Sequence, residues 1–195
     1  MTTRNEIGSA LLRRLGNAEV PVAGTWKVDA GHAEVGFWGR HFMLTKVRGR
    51  FTGVDATVVI ADDPAASTVE ATIDMTSVVS GDHTRDDHLR SADFFDVVNW
   101  PQARFRSSRV TWESDQGTMT GDLTIRNVTH PLTLEIEFVG GIRDPWDQDR
   151  SVFSATGTIN REDWDLTWNM ALEAGGLLVS NEVHLELHVE LIRQG

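Results

Sequence analysis

From Thr25 onward, apolar and polar residues alternate with a period of two, which is the spacing of a β-strand with one buried face. The alternation is most regular from Val183 to Leu191, where every odd position is aliphatic and every even position is histidine or glutamate. The phase slips at Gly53 and again near Ser107, which predicts bulges in strongly curved strands. About eight strands with short turns and no βαβ spacing favour an antiparallel barrel, closed or nearly closed.

One segment interrupts the strands, DHTRDDHLRSADFFDVVNWP from Asp82 to Pro101. Asp82 is a good N-cap, and His83–Arg90 contains no helix breaker, so the segment predicts two turns of helix that end before Pro101. Phe94 and Phe95 are the apolar wedge that would seat this helix. It is either a structural corner or an end-cap that contacts a ligand, and the pattern leaves both open.

The first residues predict a second helix, an addition to the barrel. Thr3 and Glu6 have capping-box spacing, and Gly16 with Asn17 supplies a stop. The apolar stripe of this helix consists of Ile7, Leu11 and Leu15. A helix of about three turns is marginal in water, so the stripe should dock on the main domain or on a second subunit as a homodimer.

The length of 195 residues, 40% of them hydrophobic, suits one sizeable domain. We divide the chain into a helical arm and linker at 1–23 and the barrel at 24–195. The net charge of -11 argues against nucleic acid, or an anionic bilayer surface, bound through the general field, so an anionic ligand would need a local basic pocket. No stretch is long enough to span a membrane, and the N-terminus lacks the apolar core of a signal peptide, so a cytoplasmic location is expected.

The candidate chemistry is sparse. Cysteine is absent, which excludes disulfides, thiolate catalysis and cysteine-ligated metals. His184 and His188 lie about 13 Å apart along a strand, too far to share one ion, and His83 with Asp87 lacks a third ligand. Since no nucleophile elbow, phosphate loop or dinucleotide motif occurs, we predict no catalytic residue, metal or cofactor. An enzyme acting on a small amphiphile remains the alternative, together with a ligand-free dimeric interaction module.

Six motifs together resemble the YceI family of lipocalin-like proteins, named for a bacterial protein, and the similarity runs from Gly24 to Ile192. In chain order the motifs are TWKVDAGHAEVGF (Thr25–Phe37), VRGRF (Val47–Phe51), TRDDHLRSADFFDVVNWP (Thr84–Pro101), GDLTIRNVTHPLTL (Gly121–Leu134), NREDWDLTWN (Asn160–Asn169) and NEVHLELHVE (Asn181–Glu190). The resemblance implies an all-β, eight-stranded, antiparallel lipocalin-like barrel around a long apolar tunnel. Such a tunnel would hold a polyisoprenoid, a prenylated quinone precursor or an isoprenoid pyrophosphate, where periodicity alone leaves open whether the barrel is hollow.

The implied tunnel makes the apolar residues of these segments candidate ligand contacts. They are Val35, Phe37, Phe42, Phe94, Leu123, Ile125, Leu134, Ile136, Phe138, Trp164, Trp168, Leu185 and Leu187. A polar mouth would select the head group, and its candidates are His32, His41, Arg85, His88, Arg161 and Asn169. The pairs Arg85–Asp86 and Arg161–Asp163 resemble fixed family positions. Each could be an ion pair that orients a loop, or its arginine could bind a pyrophosphate or quinone oxygen.

Overall fold

The computed structural model describes residues 11–171 and 178–195. The strands are β1 Leu12–Leu15, β2 Ala18–Pro21, β3 Gly24–His41, β4 Thr45–Phe51, β5 Val54–Ile60, β6 Thr68–Asp74, β7 Val78–Val79, β8 Gln102–Glu113, β9 Gln116–Ile125, β10 Val128–Arg143, β11 Asp149–Asn160 and β12 Glu182–Arg193. The helix α1 spans His83–Arg90, and short 3-10 helices span Pro64–Ala66, Met75–Ser77 and Arg161–Trp164. Within the described residues, no helix has the length and apolar character that crossing a membrane requires.

The strands form a closed antiparallel barrel of eight, as the alternation and the resemblance predicted. Around the barrel the order is β3, β5, β6, β8, β9, β10, β11 and β12, and β12 pairs with β3 to close it. The long strand β3 changes partner along its length, since its first residues pair with β5 and its last with β4. Closure leaves one continuous inner face, and this face carries most of the buried apolar residues.

Both predicted phase slips are confirmed. At Gly53 the strand breaks between β4 and β5, because the backbone there packs so tightly that an added Cβ would lie 2.8 Å from the Cβ of Asp74. The Ser77 hydroxyl accepts a hydrogen bond from the Gly53 amide at 2.8 Å and secures this break. The second slip is a bulge in β8 between Ser107 and Arg109. The break and the bulge help the strands to curve into a closed wall.

The helix predicted at His83–Arg90 is confirmed, with Asp82 as its N-cap. The Asp82 carboxylate accepts a hydrogen bond from the Arg85 amide at 2.9 Å. The Arg90 guanidinium donates to the carbonyl oxygens of Thr76 and Val78, which ties α1 to the barrel wall. β3 ends and β12 begins on the same side of the barrel. We call this side the α1 end, and we call the opposite side, near the β1–β2 hairpin, the hairpin end.

The predicted N-terminal helix is wrong where it can be compared, because Leu12–Leu15 is strand β1, paired with β2 in a hairpin. The rest of the predicted helix, residues 3–10, lies outside the described residues. Gly16 and Asn17, interpreted as a helix stop, form the hairpin turn instead, with Gly16 at φ 63°. Tertiary contacts hold the hairpin, since Leu11 is buried beside Trp26 and Leu191. Leu11 is therefore used inside its own chain and not in a dimer stripe.

Candidate ligand cavity

The interior of the barrel is hollow. A cavity of about 500 Å³ follows the inner face from the hairpin end to the α1 end. Several aliphatic residues that point inward, among them Ile136, Leu185 and Leu187, are only partly buried although the wall is closed. Their remaining accessible surface faces the cavity. From Val183 to Leu191, strand β12 is about 26 Å long at about 3.3 Å per residue. Because barrel strands tilt by about 40° from the barrel axis, this length corresponds to about 20 Å along the axis.

Most of the apolar residues predicted to contact a ligand lie in the cavity wall. They are Val35, Phe37, Phe94, Leu123, Ile125, Leu134, Ile136, Trp168, Leu185 and Leu187. The prediction omitted the inner faces of β5, β6 and β8, which contribute Val54, Ala56, Val58, Val69, Ala71, Ile73, Ala103 and Phe105. The period-two alternation of these segments could have identified them, since alternate residues of a barrel strand share one face.

A glycine makes room for one of the wall residues. Gly49 is the cross-strand partner of Phe37, and an added Cβ at Gly49 would lie 2.4 Å from the Phe37 Cζ. The phenyl ring therefore lies over the bare backbone of β4 and packs against Phe51, with ring centroids 5.4 Å apart. The glycine of the VRGRF motif thus lets an aromatic side chain lie along the wall.

Three predicted wall residues lie outside the cavity wall. Phe42 is in the turn between β3 and β4 and is 47% exposed, because the turn carries it beyond the end of the barrel. Phe138 is buried, but it packs against Phe153 beside the bulge in β10. Trp164 is buried in the core below the cavity wall, where its indole Nε1 donates to the Leu123 carbonyl at 2.9 Å. Aromatic character alone did not distinguish these positions.

At the α1 end, Arg85 reaches the cavity from the helix. Its Nε donates to the Ser80 hydroxyl at 2.8 Å, and its Nη2 donates to the Ser80 carbonyl at 2.9 Å. The buried Asp86 carboxylate accepts from the Ser80 amide at 2.7 Å. The predicted Arg85–Asp86 ion pair is therefore wrong, because Ser80 stands between the two. No carboxylate pairs with Arg85 in the part of the chain that the structure describes, which leaves guanidinium donors for a ligand.

Arg161 also borders the cavity but is committed to the protein. It is 4% exposed, and its guanidinium donates to the carbonyl oxygens of Ser180 and Leu166 and to the Asn181 side chain. Burial lowers the pKa of Arg161 below its ordinary value, against the smaller opposing effect of Glu162. The ion pair predicted with Asp163 is absent from the contacts of the described residues. Arg161 orients the segment after the 3-10 helix by bonding to its carbonyl groups.

The histidines predicted for the mouth separate in space. His41 and His88 border the cavity at the α1 end. The His88 ring meets the edges of Phe94 and Trp168, and its Nε2 lies 3.0 Å from an Asp93 carboxylate oxygen. His32 lies outside the cavity, on a part of β3 near the hairpin end.

Asn169 also lies outside the cavity wall. Its amide side chain bridges the backbone of Val179, donating to the carbonyl at 2.7 Å and accepting from the amide at 3.1 Å. It therefore holds the chain beside the mouth and does not face the cavity, which corrects its prediction as a mouth residue.

The β1–β2 hairpin covers the other end of the cavity. Arg13, Val20 and Pro21 contribute to the lining there. The Arg13 guanidinium donates to the carbonyl oxygens of Ala61 and Asp62 at the end of β5, which ties the hairpin to the barrel rim. This contribution was not predicted, because the apolar pattern of the arm predicts a helix. The Gly-Asn pair between short apolar segments was the available signal for a hairpin.

Near His32, charged groups form a network around Arg150. Its guanidinium contacts Asp29 at 2.7 Å, Asp144 at 2.6 Å, and Glu190. Arg150, followed by His32, lowers the pKa of Asp29, while the neighbouring carboxylates, Asp144 foremost, raise that of Arg150. Ligand atoms of Asp29, His32 and Glu190 come within 4.8 Å of one another, as a metal site would require. The guanidinium already supplies the positive charge between these carboxylates, so the cluster is a structural ion-pair network.

Comparison with known proteins shows which family has this architecture. The model of the YceI-like domain matches residues 26–191. The chain belongs to the YceI-like family. This YceI-like chain is 36% identical to Protein YceI of Salmonella newport over 194 residues, which cover 98% of each protein.

Two solved structures share the fold of this YceI-like chain. Burkholderia cenocepacia BcnA is 23% identical with a TM-score of 0.73, covering 84% of this chain and 98% of that one. A domain of Saccharophagus degradans described as polyisoprenoid-binding is 15% identical with a TM-score of 0.63, covering 87% of this chain and 98% of its own. At these identities both comparisons establish the barrel, and the resemblance noted from the six motifs is confirmed by the family match.

Proposed function

We propose that the barrel binds a long apolar amphiphile, a polyisoprenoid or a prenylated relative, and carries or sequesters it in the interior. The observation that carries this proposal is the apolar hollow of about 500 Å³. Ligand sites typically occupy about 300–1,000 Å³, lined by apolar side chains with a few polar groups. The description of the Saccharophagus domain as polyisoprenoid-binding supports the same ligand class.

Burial of the apolar tail drives the affinity. At about 25 cal/mol per Å² of apolar surface removed from water, a chain that follows the β12 wall gains several kcal/mol without directional contacts. The elongated shape of the cavity favours a chain molecule over a compact one. Specificity for the head is left to the few polar groups at the α1 end.

Arg85 is the best candidate for selecting the head group. It borders the cavity, is held in place by Ser80, and keeps donors available. A forked guanidinium suits a pyrophosphate or a quinone carbonyl oxygen. Arg161 serves the surrounding loop instead, since its donors are used by backbone carbonyl groups. Binding without turnover is the function we propose, because the mouth groups have positioning partners and the cavity has an apolar wall.

The test begins with mass spectrometry of an organic extract of the purified protein, which we expect to contain an isoprenoid. Binding of solanesol, a polyisoprenoid alcohol, is then measured for Leu134→Trp, whose ring enters the cavity. The matched control is Glu135→Trp, because Glu135 is the next residue of β10 and is exposed on the outer face. Solanesol affinity should fall at least about tenfold for Leu134→Trp only, since the ring displaces tail contacts. An extract without lipid and no solanesol binding would refute the proposal.

A further inference from the structure

The turn between β3 and β4 presents apolar side chains to solvent beside the cavity mouth. Phe42, Met43 and Leu44 are 47%, 52% and 77% exposed. The Leu44 amide donates to the His41 carbonyl at 3.0 Å, which closes a tight turn. We call residues 42–44 the apolar tip. Three consecutive exposed apolar residues at a turn are unusual, because such positions normally carry polar or glycine residues.

The backbone of the apolar tip favours other residues. Phe42 and Met43 have φ of 52° and 60°, the left-handed region that favours glycine or asparagine in turns of this kind. Both positions nevertheless carry bulky side chains, against that local preference. Residues held in such conformations cluster at functional sites, so the tip is a candidate for contact with a partner.

The charge around the apolar tip has the opposite sign to that of the whole chain. Residues 35–54 contain four arginines or lysines and no aspartate or glutamate, although the net charge is -11. Across the described ranges, Arg40, Lys46 and Arg48 form no ion pair. On the adjoining strand the Glu182 carboxylate lies 2.9 Å from the His184 Nε2 and is 66% exposed. The Lys46 ammonium lies over the Trp38 ring, 3.7 Å from its centroid, a contact that leaves its charge unneutralised. Within the described residues, the tip is therefore flanked by cations that have no carboxylate partner.

The apolar tip adjoins the entrance to the cavity. Arg40 and His41 border the cavity at the base of the tip. The Phe42 amide donates to the Leu178 carbonyl at 2.9 Å, and the Leu178 amide donates to the Met170 carbonyl at 3.0 Å. Met170 is 56% exposed, so it extends the apolar surface to the second loop at the mouth. A ligand that leaves the cavity at this end emerges next to the tip.

A second apolar turn, at the hairpin end, provides the contrast. Ile142 and Trp146 flank the β10–β11 turn and are 63% and 78% exposed. That turn carries Asp144, Asp147 and Asp149 beside Arg143 and Arg150, and both arginines are ion-paired with aspartates of the turn. Its cations are therefore already engaged, and its net charge is negative, which disfavours an anionic surface. Hydrophobic exposure occurs at both ends, but of these two turns in the described chain it is the apolar tip whose cations have no carboxylate partner.

We propose that the apolar tip docks on a bilayer that contains anionic phospholipids, with Phe42, Met43 and Leu44 entering the interface and Lys46 and Arg48 facing the head groups. Apolar insertion supported by juxtaposed cations is how peripheral proteins bind such surfaces. Docking does not depend on the proposed function; the consequence that lipid passes between bilayer and cavity does. The overall negative charge then orients the molecule, since it directs the basic β3–β4 end toward the membrane.

The test is co-sedimentation of the full chain with phosphatidylcholine vesicles and with mixed phosphatidylcholine–phosphatidylglycerol vesicles. We expect binding to the mixed vesicles, weakened at least about tenfold by the double variant Met43→Ser/Leu44→Ser and by Lys46→Glu, and weakened by added salt. Trp146→Ser is the matched control, because it removes an equally exposed aromatic side chain from the acidic turn. Equal loss in Trp146→Ser, or no difference between vesicle types, would overturn the proposal.

Two further measurements separate this inference from its alternatives. Solanesol binding in the absence of vesicles should be unchanged in Met43→Ser/Leu44→Ser. If the wild-type protein binds vesicles but not solanesol, the proposed function is wrong and the docking proposal still holds. If the double variant converts a dimer to a monomer while vesicle binding persists, the tip contacts a second copy of the chain and docking is wrong.

Discussion

Replacing Leu187 by tryptophan tests directly whether the barrel works as a hollow. Leu187 lies on the inner face of β12 and lines the cavity, whereas its neighbour His188 is exposed on the outer face. In a filled core the larger ring would overpack and cost about 1–3 kcal/mol of stability. In a hollow barrel the ring enters empty space, so the lipid-free Leu187→Trp protein should be as stable as wild type or more stable.

The volume of the cavity determines how strongly its occupancy should affect the stability of the protein. At about 24 cal/mol per Å³, an unfilled cavity of about 500 Å³ corresponds to an upper bound on the order of 12 kcal/mol relative to a filled core. That is comparable to the whole unfolding free energy of a typical domain, about 5–15 kcal/mol. Occupancy of the cavity should therefore matter strongly to stability. At free ligand about 100 times Kd, binding contributes about 2.7 kcal/mol, which raises Tm by about 5–11 °C for a chain of this size.

The assay is calorimetry of lipid-free and solanesol-loaded protein for wild type, Leu187→Trp and His188→Trp. We expect loading to raise Tm by about 5–11 °C for wild type and His188→Trp, but by about half as much or less for Leu187→Trp if its affinity falls about tenfold. The hypothesis fails if all three proteins respond equally to solanesol. It also fails if lipid-free Leu187→Trp loses about 1–3 kcal/mol, since that loss marks a core already filled by side chains.

Three other predictions concern side-chain interactions that stabilise the barrel. Arg161→Met should lower stability by about 3 kcal/mol or more, seen as a lower urea midpoint, because it leaves buried carbonyl groups without their charged donor; an unchanged midpoint would contradict the bonds described. Trp164→Phe should cost about 1–3 kcal/mol, since the Leu123 carbonyl loses its indole donor, and near wild-type stability would argue against that bond. Because Arg150 holds the pKa of Asp29 low, this pair stabilises the fold above the unfolded-state pKa of about 3.9 and the contribution is lost as pH falls through the folded-state value. The Tm difference between wild type and Arg150→Met should therefore narrow in acid, and parallel pH curves would refute the assignment.

Local pattern was sufficient for much of the architecture. The alternation from Val183 to Leu191 assigned an inner and an outer face to β12, and the structure places its aliphatic residues in the cavity wall. The phase slip at Gly53 marked the break between β4 and β5. The Asp82 cap marked the beginning of α1. These features depend on contacts between residues that are close in sequence, so the sequence shows them directly.

The same kind of pattern failed at the N-terminal arm. Leu11 and Leu15, four residues apart, fit a helical stripe, but their segment pairs as a hairpin against the barrel rim. The decisive contacts join Arg13 to Ala61 and Asp62, which lie far along the chain. A short helix is too weak to resist such contacts, so tertiary interactions determined the local structure.

The predicted site residues show the same difference between what local pattern predicts and what tertiary contacts decide. Leu134 and Leu187 were predicted from alternation and line the cavity, whereas Trp164 was chosen for its aromatic character and lies in the core below the wall. Arg85 was predicted at the mouth and borders the cavity, but its partner is Ser80 and not the adjacent Asp86. Which polar atom a side chain meets depends on how loops fold together over the barrel end.

The sequence by itself determined the strand faces, the phase slips at Gly53 and Ser107, the helix at His83–Arg90 and the family. Only the tertiary structure decided that the inner faces stay apart around a hollow, that the hairpin covers one end, and that a basic apolar turn flanks the other. The physical reason is that periodicity specifies the direction of each side chain relative to its own strand. The distance across the barrel follows from strand number, tilt and closure, which are properties of the whole sheet.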